Sequence, residues 1–370
     1  MRDSAGLIPV FGSNGAFNRH SVANTEAPVI IVGRKGSFGS VTFSELPCWC
    51  IDTAYWIDAK SCPNELRWLY YALQTLGLDR FSQDTGVPGL SRETAYNYLI
   101  TLPNHAEQRA IADFLDRETA EADALVAKYE RLIELLEEKR VAHITQAVTK
   151  GLDPTVPMKD SGIEWLGQIP ATWVAGPIKY FLTMLDGKRI PISGEERSGR
   201  QGPYPYYGAS GVIDHIDDFI FDEDLILVGE DGANLVNRAT PLAFLAQGKY
   251  WVNNHAHILR PKQYDSLNFW VQRIEMEDIS SIVTGSAQPK LTIEVLKNLK
   301  ISAPTKEDER RTISGYIEKV TKDTDLLKSK ASRAIELIRE RRSALITAAV
   351  TGQIDVNAYR LRKQPFEVPA

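Results

Sequence analysis

The pattern of apolar and polar positions changes character along the chain. From 106 to 148 and from 306 to 350 there is no proline, glycine occurs only at Gly315, and apolar residues recur at helical spacing. Each stretch predicts one helix of roughly 65 Å at 1.5 Å per residue. Pro103 and Pro304 precede the two stretches, and Gly151 and Gly352 follow them, the expected start and stop signals. In the second stretch Ile313, Ile317, Val320, Thr324, Leu327, Ala331, Ala334, Ile338, Arg341, Leu345 and Ala348 alternate steps of four and three. That is a heptad seam. A matching seam in the first runs Ile111, Leu115, Glu118, Ala122, Leu125, Tyr129, Leu132, Leu136, Lys139. Small Ala331 and Ala334 suit bulky Tyr129 and Leu132. The expected pairing set is therefore Leu125, Tyr129, Leu132 and Leu136 with Leu327, Ala331, Ala334 and Ile338, on antiparallel helices.

The rest of the chain reads differently. Residues 5–103 and 161–303 are rich in Gly, Pro, Asn and aromatics, with short apolar runs such as APVIIVG and DLILVG. These runs predict buried strands. VFGSNG and YYGASG predict strand ends entering tight turns, and NELRWLYYALQTL at 64–76 predicts a helix.

The chain also repeats itself at a shift of about 200 residues. IPVFGSNGAF (8–17) matches YPYYGASGVI (204–213), and VIIVGRKG (29–36) matches LILVGEDG (225–232). CIDTAYWI (50–57) meets VNNHAHIL (252–259), and 90–116 meets 291–318. HITQAVTKG (143–151) meets LITAAVTGQ (345–353). Five blocks in one order imply a duplicated module, a globule followed by a helix; the period is too long for a solenoid. The expected fold is mixed α+β: two globular α/β domains separated by two long antiparallel helices, with pseudo-two-fold internal duplication. The expected boundaries are 1–104 and 163–304 for the globules, 105–150 and 305–352 for the helices, 151–162 for a linker, and 353–370 for a tail.

Composition narrows the function. With 43% apolar and 25% charged residues, the chain has the content of a globular protein and can bury a core. No apolar run nears the ~18 residues of a membrane span, and no secretory pattern opens the sequence. Cys48, Cys50 and Cys62 are too few for a disulfide framework and predict buried, reduced thiols in a cytoplasmic protein. The run GRKGSFGS (33–40) carries its lysine too early for a phosphate-binding loop. No methyltransferase, GxSxG or HExxH signature occurs. His255 and His257, beside Asn253 and Asn254, read first as core or edge histidines. No catalytic residue, metal site or cofactor is expected in this chain.

Two globules held apart on a rod suit DNA, whose turns advance about 34–36 Å, although a scaffold with protein-binding ends has the same outline. The motifs go further. Each globule closes on a proline followed by an acidic-Gln/Glu-Arg run and then an isoleucine, one residue sooner in the first copy: Pro103, Glu107, Gln108, Arg109 and Ile111, then Pro304, Asp308, Glu309, Arg310 and Ile313. Each helix ends alike, Ile144, Thr145, Ala147, Val148 and Thr149 against Ile346, Thr347, Ala349, Val350, Thr351 and Gly352. With IEWLGQIPATW at 163–173, this resembles the DNA specificity subunit of type I restriction–modification systems over essentially the whole chain. The resemblance implies a non-catalytic subunit whose two target-recognition domains each read half of a bipartite DNA sequence. It also implies helices that set the spacing and dock two methyltransferase subunits, with restriction/motor subunits joining them. S-adenosylmethionine, ATP and Mg would then belong to partners.

Net charge is −5, so DNA contact rests on local cations. The candidates are Arg34, Lys35 and Arg92 with Asn14 in the first copy. In the second they are Lys188, Arg189, Arg197, Arg200 and Lys290 with Gln201, Ser210 and Gln288. The acidic run at 214–225 is expected to face away from DNA. One departure stands out. The second copy has about 45 residues before YYGASG and the first about ten before VFGSNG, so the first lacks a counterpart of roughly 165–200.

Overall fold

A computed structural model describes residues 6–80, 88–263, 265–285 and 289–362. The chain forms two compact units, Met1–Leu132 with Lys330–Ala370, and Ile133–Ser329. Each unit holds one copy of the globule and a part of both long helices.

Those helices run unbroken over His105–Lys150 and Glu307–Val350. The first opens on a reciprocal cap: Asn104 Oδ1 accepts from the Glu107 amide at 3.0 Å, and Glu107 Oε2 accepts from the Asn104 amide at 3.1 Å. Glu307, Asp308 and Glu309 place negative charge on the opening turn of the second. Gly151 and Gly352 adopt positive φ, 78° and 73°, where both helices stop.

Within each unit the helices run antiparallel. In one, Asp123 pairs with Arg342 at 3.1 Å and Glu130 with Arg339 at 3.0 Å. In the other, Glu137 pairs with Lys328 at 2.8 Å, and the Tyr316 hydroxyl meets His143 Nδ1 at 2.6 Å. The buried stripe differs from the heptad expectation. It includes Ile111, half-buried Ala122 and Ile133, and Ile144 on one helix and Ile313, Thr324, Ile335 and Ile346 on the other, steps of 11 residues. An 11-residue period gives about 3.67 residues per turn, nearer to a straight α-helix than the 3.5 of a heptad. The covered positions therefore drift by one. Leu125, Leu132 and Leu327 are exposed, while Val126, Ile133 and Lys328 take the half-buried places. Ala334 is half-buried beside buried Ile335. Tyr129, Leu136 and Ile338 are half-buried, and Ala331 is buried.

The two globules share a strand plan. In the first, Ile8–Gly12 pairs antiparallel with Gly15–His20 and parallel with Trp49–Cys50. In the second, Tyr204–Gly208 pairs with Gly211–Ile216 and Lys249–Val252 in the same senses. Both hairpins slip register at the same place, Val10/Phe11 and Tyr206/Tyr207. A second sheet centres on Val29–Gly33 or Leu225–Gly229, buried at all five positions as an unbroken apolar run requires. The first is flanked by Val41–Ser44 and Ala54–Asp58; the second by Ala243–Ala246 and Ala256–Pro261. Among the described residues only the second copy adds Leu182–Met184 outside Ala256–Pro261 and a pair between Trp173–Pro177 and Lys300–Pro304. Helices Leu66–Gln74 and Leu267–Glu275 cover these sheets with buried aromatic faces. Among the described residues no helix is long and apolar enough to cross a membrane.

Candidate nucleic-acid interface

Each central strand ends in a glycine turn, Gly33–Gly36 or Gly229–Gly232, held by equivalent hydrogen bonds. The Leu90 amide donates to the Arg34 carbonyl, and the Leu291 amide to the Glu230 carbonyl, both at 2.8 Å. Gly36 donates to Pro88 and Gly232 to Pro289. Ser91 and Thr292 then cap the following short helices through the same side-chain bond. These bonds fix which residues correspond: Arg34 with Glu230, Lys35 with Asp231, Tyr55 with His257, and Arg92 with Ile293.

In the first copy the turn is cationic. Arg34 and Arg92 each place a guanidinium 5.6 Å from the centre of the Tyr55 ring, and Lys35 lies beside them. The Tyr55 hydroxyl donates to the Leu90 carbonyl at 3.2 Å, which fixes the ring. Asn14, at the exposed hairpin tip, accepts from the Ser37 hydroxyl at 3.4 Å, which ties the tip to the residue that follows the turn. None of Arg34, Lys35 and Arg92 has a carboxylate partner among the described residues. Cations stacked on an aromatic face and free of counter-charge suit phosphate or a base edge.

In the second copy the same place is an ion-pair network. Arg189 Nη1 donates to Glu230 Oε2 at 2.6 Å and its other nitrogen lies 3.3 Å from Asp186. Lys290 reaches Glu230 at 3.1 Å. His257 is buried with Nδ1 2.6 Å from Asp186 and Nε2 2.7 Å from the Leu291 carbonyl. Both ring nitrogens face acceptors. Burial alone would raise the Asp186 and Glu230 carboxyls. For Asp186 the hydrogen bonds from His257 and the Ile258 amide prevail, and for Glu230 the bond from Arg189 and the charge of His257 do. Both carboxyls are held below the usual carboxylate range. Asp186, Glu230 and His257 bring ligand-capable atoms within 4.8 Å of one another, but the Arg189 guanidinium already engages both carboxylates. His255 pairs with Asp231 at 2.7 Å.

The other candidates of the second copy divide further. Arg197 pairs with Asp214 at 3.2 Å and stacks over Tyr206; Gln201 also donates to Asp214. Arg200 pairs with Asp217 at 3.0 Å and stacks over Trp251. The acidic run thus neutralises cations of its own copy. Lys188 and Ser210 are exposed, Ser210 at the hairpin tip matching Asn14. Gln288 lies outside the described residues. Sequence reasoning missed Tyr55, Asp186 and Glu230, although aligning the two copies places Glu230 against Arg34. Cys48 and Cys50 are buried with sulfurs 3.6 Å apart, and Cys62 is half-buried. The hydrogen bond from Cys50 brings the Cys48 thiol down to about 7 and pushes Cys50 up.

The family model for the type I restriction modification DNA specificity domain matches residues 3–135 and 170–337. The chain belongs to this family. It is 27% identical to a type I restriction enzyme specificity subunit of Haemophilus influenzae over 129 residues, 35% of this chain and only 32% of that protein. It is 22% identical to the MjaVIII specificity subunit of Methanocaldococcus jannaschii over 366 residues, 90% of this chain and 77% of that one. A solved chain from work on complex assembly and conformational transition of the type I R-M system shares the fold. Its TM-score is 0.62 at 15% identity, over 89% of this chain and 83% of that one.

Proposed function

We propose that this chain is the non-catalytic, DNA-reading subunit of a type I restriction–modification complex, each copy reading one half of a bipartite target. One observation carries the reading. The same glycine turn on the same strand plan presents Arg34 and Lys35 in one copy and Glu230 and Asp231 in the other, as two readers of different sequences would. Arg34, Lys35, Arg92 and Asn14 form the contact surface of the first. In the second, Lys188, Ser210 and the outer face of Lys290 approach DNA, while Arg189, Arg197 and Arg200 orient that surface through their carboxylate pairs. Gln201 and Gln288 complete the candidate set.

The long helices set the distance between half-sites and dock two methyltransferase subunits. Restriction/motor subunits complete the assembly. Methyl transfer from S-adenosylmethionine and ATP- and Mg-dependent cleavage belong to those partners, and the methyltransferases add positive charge that an acidic chain lacks. The test is reconstitution with a type I methyltransferase subunit and mapping of methylated bases. The expected result is one bipartite motif and weak DNA binding by the chain alone. A stable assembly without sequence preference would instead mark the chain as a scaffold.

A further inference from the structure

The register slip shared by the two hairpins singles out one residue in each. Val10 faces Asn18 and Phe11 faces Ala16, so Phe17 has no partner across the ladder. Tyr206 faces Asp214 and Tyr207 faces Val212, which leaves Ile213 in the same position. A bulge of this kind re-aims the side chain it carries. Both turn outward: Phe17 is 64% exposed and Ile213 53%.

A lone apolar residue on a surface is ordinary. Here, however, the same bulge exposes an apolar group in both copies while the residues around it change, Asn14 to Ser210 and Arg34 to Glu230. The side chain is also seated. A β-carbon added at Gly208 would lie 3.1 Å from two carbons of Ile213, and one at Gly12 would lie 3.4 Å from the Phe17 ring. Each glycine gives the apolar group bare backbone to rest on. The tip adjoins the glycine turn in both copies. The Ser40 hydroxyl donates to the Ser13 carbonyl, and a β-carbon at Gly229 would lie 2.7 Å from the Ala209 carbonyl oxygen.

We infer, resting on the proposal that each copy reads one half-site, that Phe17 and Ile213 contact thymine methyl groups in the major groove, one in each half. Width selects the groove. The third strand of each sheet reaches only Val10 and Phe11, or Tyr206 and Tyr207, so the tip beyond is two strands wide. The major groove, about 12 Å across, admits a two-stranded ribbon, and the minor groove at about 6 Å is too narrow. The base edges there offer one apolar group, the C5-methyl of thymine. A side chain laid against its own hairpin presents a flat apolar face to that methyl, whereas parting stacked bases calls for one that projects.

The test uses the chain assembled with its methyltransferase subunits and duplexes carrying the mapped motif, with deoxyuridine replacing thymine at one position at a time. In each half one such replacement should weaken binding about fourfold, the worth of one methyl removed from water. Phe17→Ser should abolish the preference for thymine over uracil in one half, and Ile213→Ser in the other. The preference that survives in the untouched half shows that each variant is folded. An assembly without sequence preference overturns the half-site reading and this inference together. A bipartite motif bound equally with thymine or uracil at every position overturns this inference alone, as do variants that leave both preferences in place.

Discussion

The turn at Gly33–Gly36 and the turn at Gly229–Gly232 hold the same hydrogen bonds and opposite charges. In the first, two arginines lie against a tyrosine with no carboxylate among the described residues; in the second, a buried histidine and two carboxylates absorb an arginine and a lysine. Backbone geometry is thus conserved between copies of one chain while side-chain chemistry is replaced. In the proposed function, recognition belongs to the replaceable part. The comparison also shows what residues 173–189 contribute to the second copy: they close a core and supply the cation that balances Glu230.

The sharpest way to break this comparison is to empty the indole seat of the second copy. Trp173→Ala should cost about 3–5 kcal/mol, because it removes a fully buried ring and orphans its contact with Glu309. Denaturant unfolding should show the loss in the transition that exposes Leu225–Gly229, with Val29–Gly33 unchanged by hydrogen exchange. A loss below about 1 kcal/mol would mean the segment is not a structural seal.

Next come Gln108 and Arg310, which occupy equivalent helix positions. Arg310 makes a 2.6 Å ion pair with Asp265, both side chains buried. Gln108 accepts from the Glu65 amide at 2.8 Å and donates to the Pro103 carbonyl at 2.9 Å. Arg310→Met strands a buried carboxylate and should cost about 3–5 kcal/mol. Gln108→Met strands one amide and should cost about 1–3 kcal/mol. Equal penalties in chemical unfolding would contradict the charge-for-neutral exchange.

Acid should separate the copies more gently. The Asp186 and Glu230 carboxyls lie below their ordinary values when folded, so their contribution is present above the unfolded carboxylate range near 4. It is lost as pH falls through the lower folded values. Amide exchange at Leu225–Gly229 should therefore accelerate below about pH 4, and Asp186→Asn should flatten that dependence. A flat profile in the unaltered protein would remove the network from the account.

The smallest effect concerns free and paired cations. In the methyltransferase complex, Arg92→Ala should lower the slope of log affinity against log salt by about one. Arg200→Ala, whose charge Asp217 already balances, should change it less. Equal changes would show that the pairing does not hold on DNA.

Much of this architecture was legible in the residues. The long helices announced themselves by 43 positions without proline or glycine in the first copy, and the duplication by blocks such as VGRKG and VGEDG. The helix seam was read one residue off at Leu125, Leu132 and Leu327, because leucines at heptad spacing outvote the 11-residue period that a straight helix buries. The site was less legible. Lys188, Arg189, Arg197 and Arg200 look alike in sequence, and only packing shows that three of them face carboxylates from Asp186, Asp214, Asp217 and Glu230. Tyr55 gave no signal until its strand partner, Val32, brought it beside Arg34.

The central claim is that the two copies read DNA separately. The direct measurement is base-resolved mapping of methylation in cells carrying the cognate methyltransferase and a chain whose residues 163–304 come from a relative with a different target. The account predicts that one half of the motif changes while the other half and the spacing stay as they were. A change in both halves, or in neither, would contradict it.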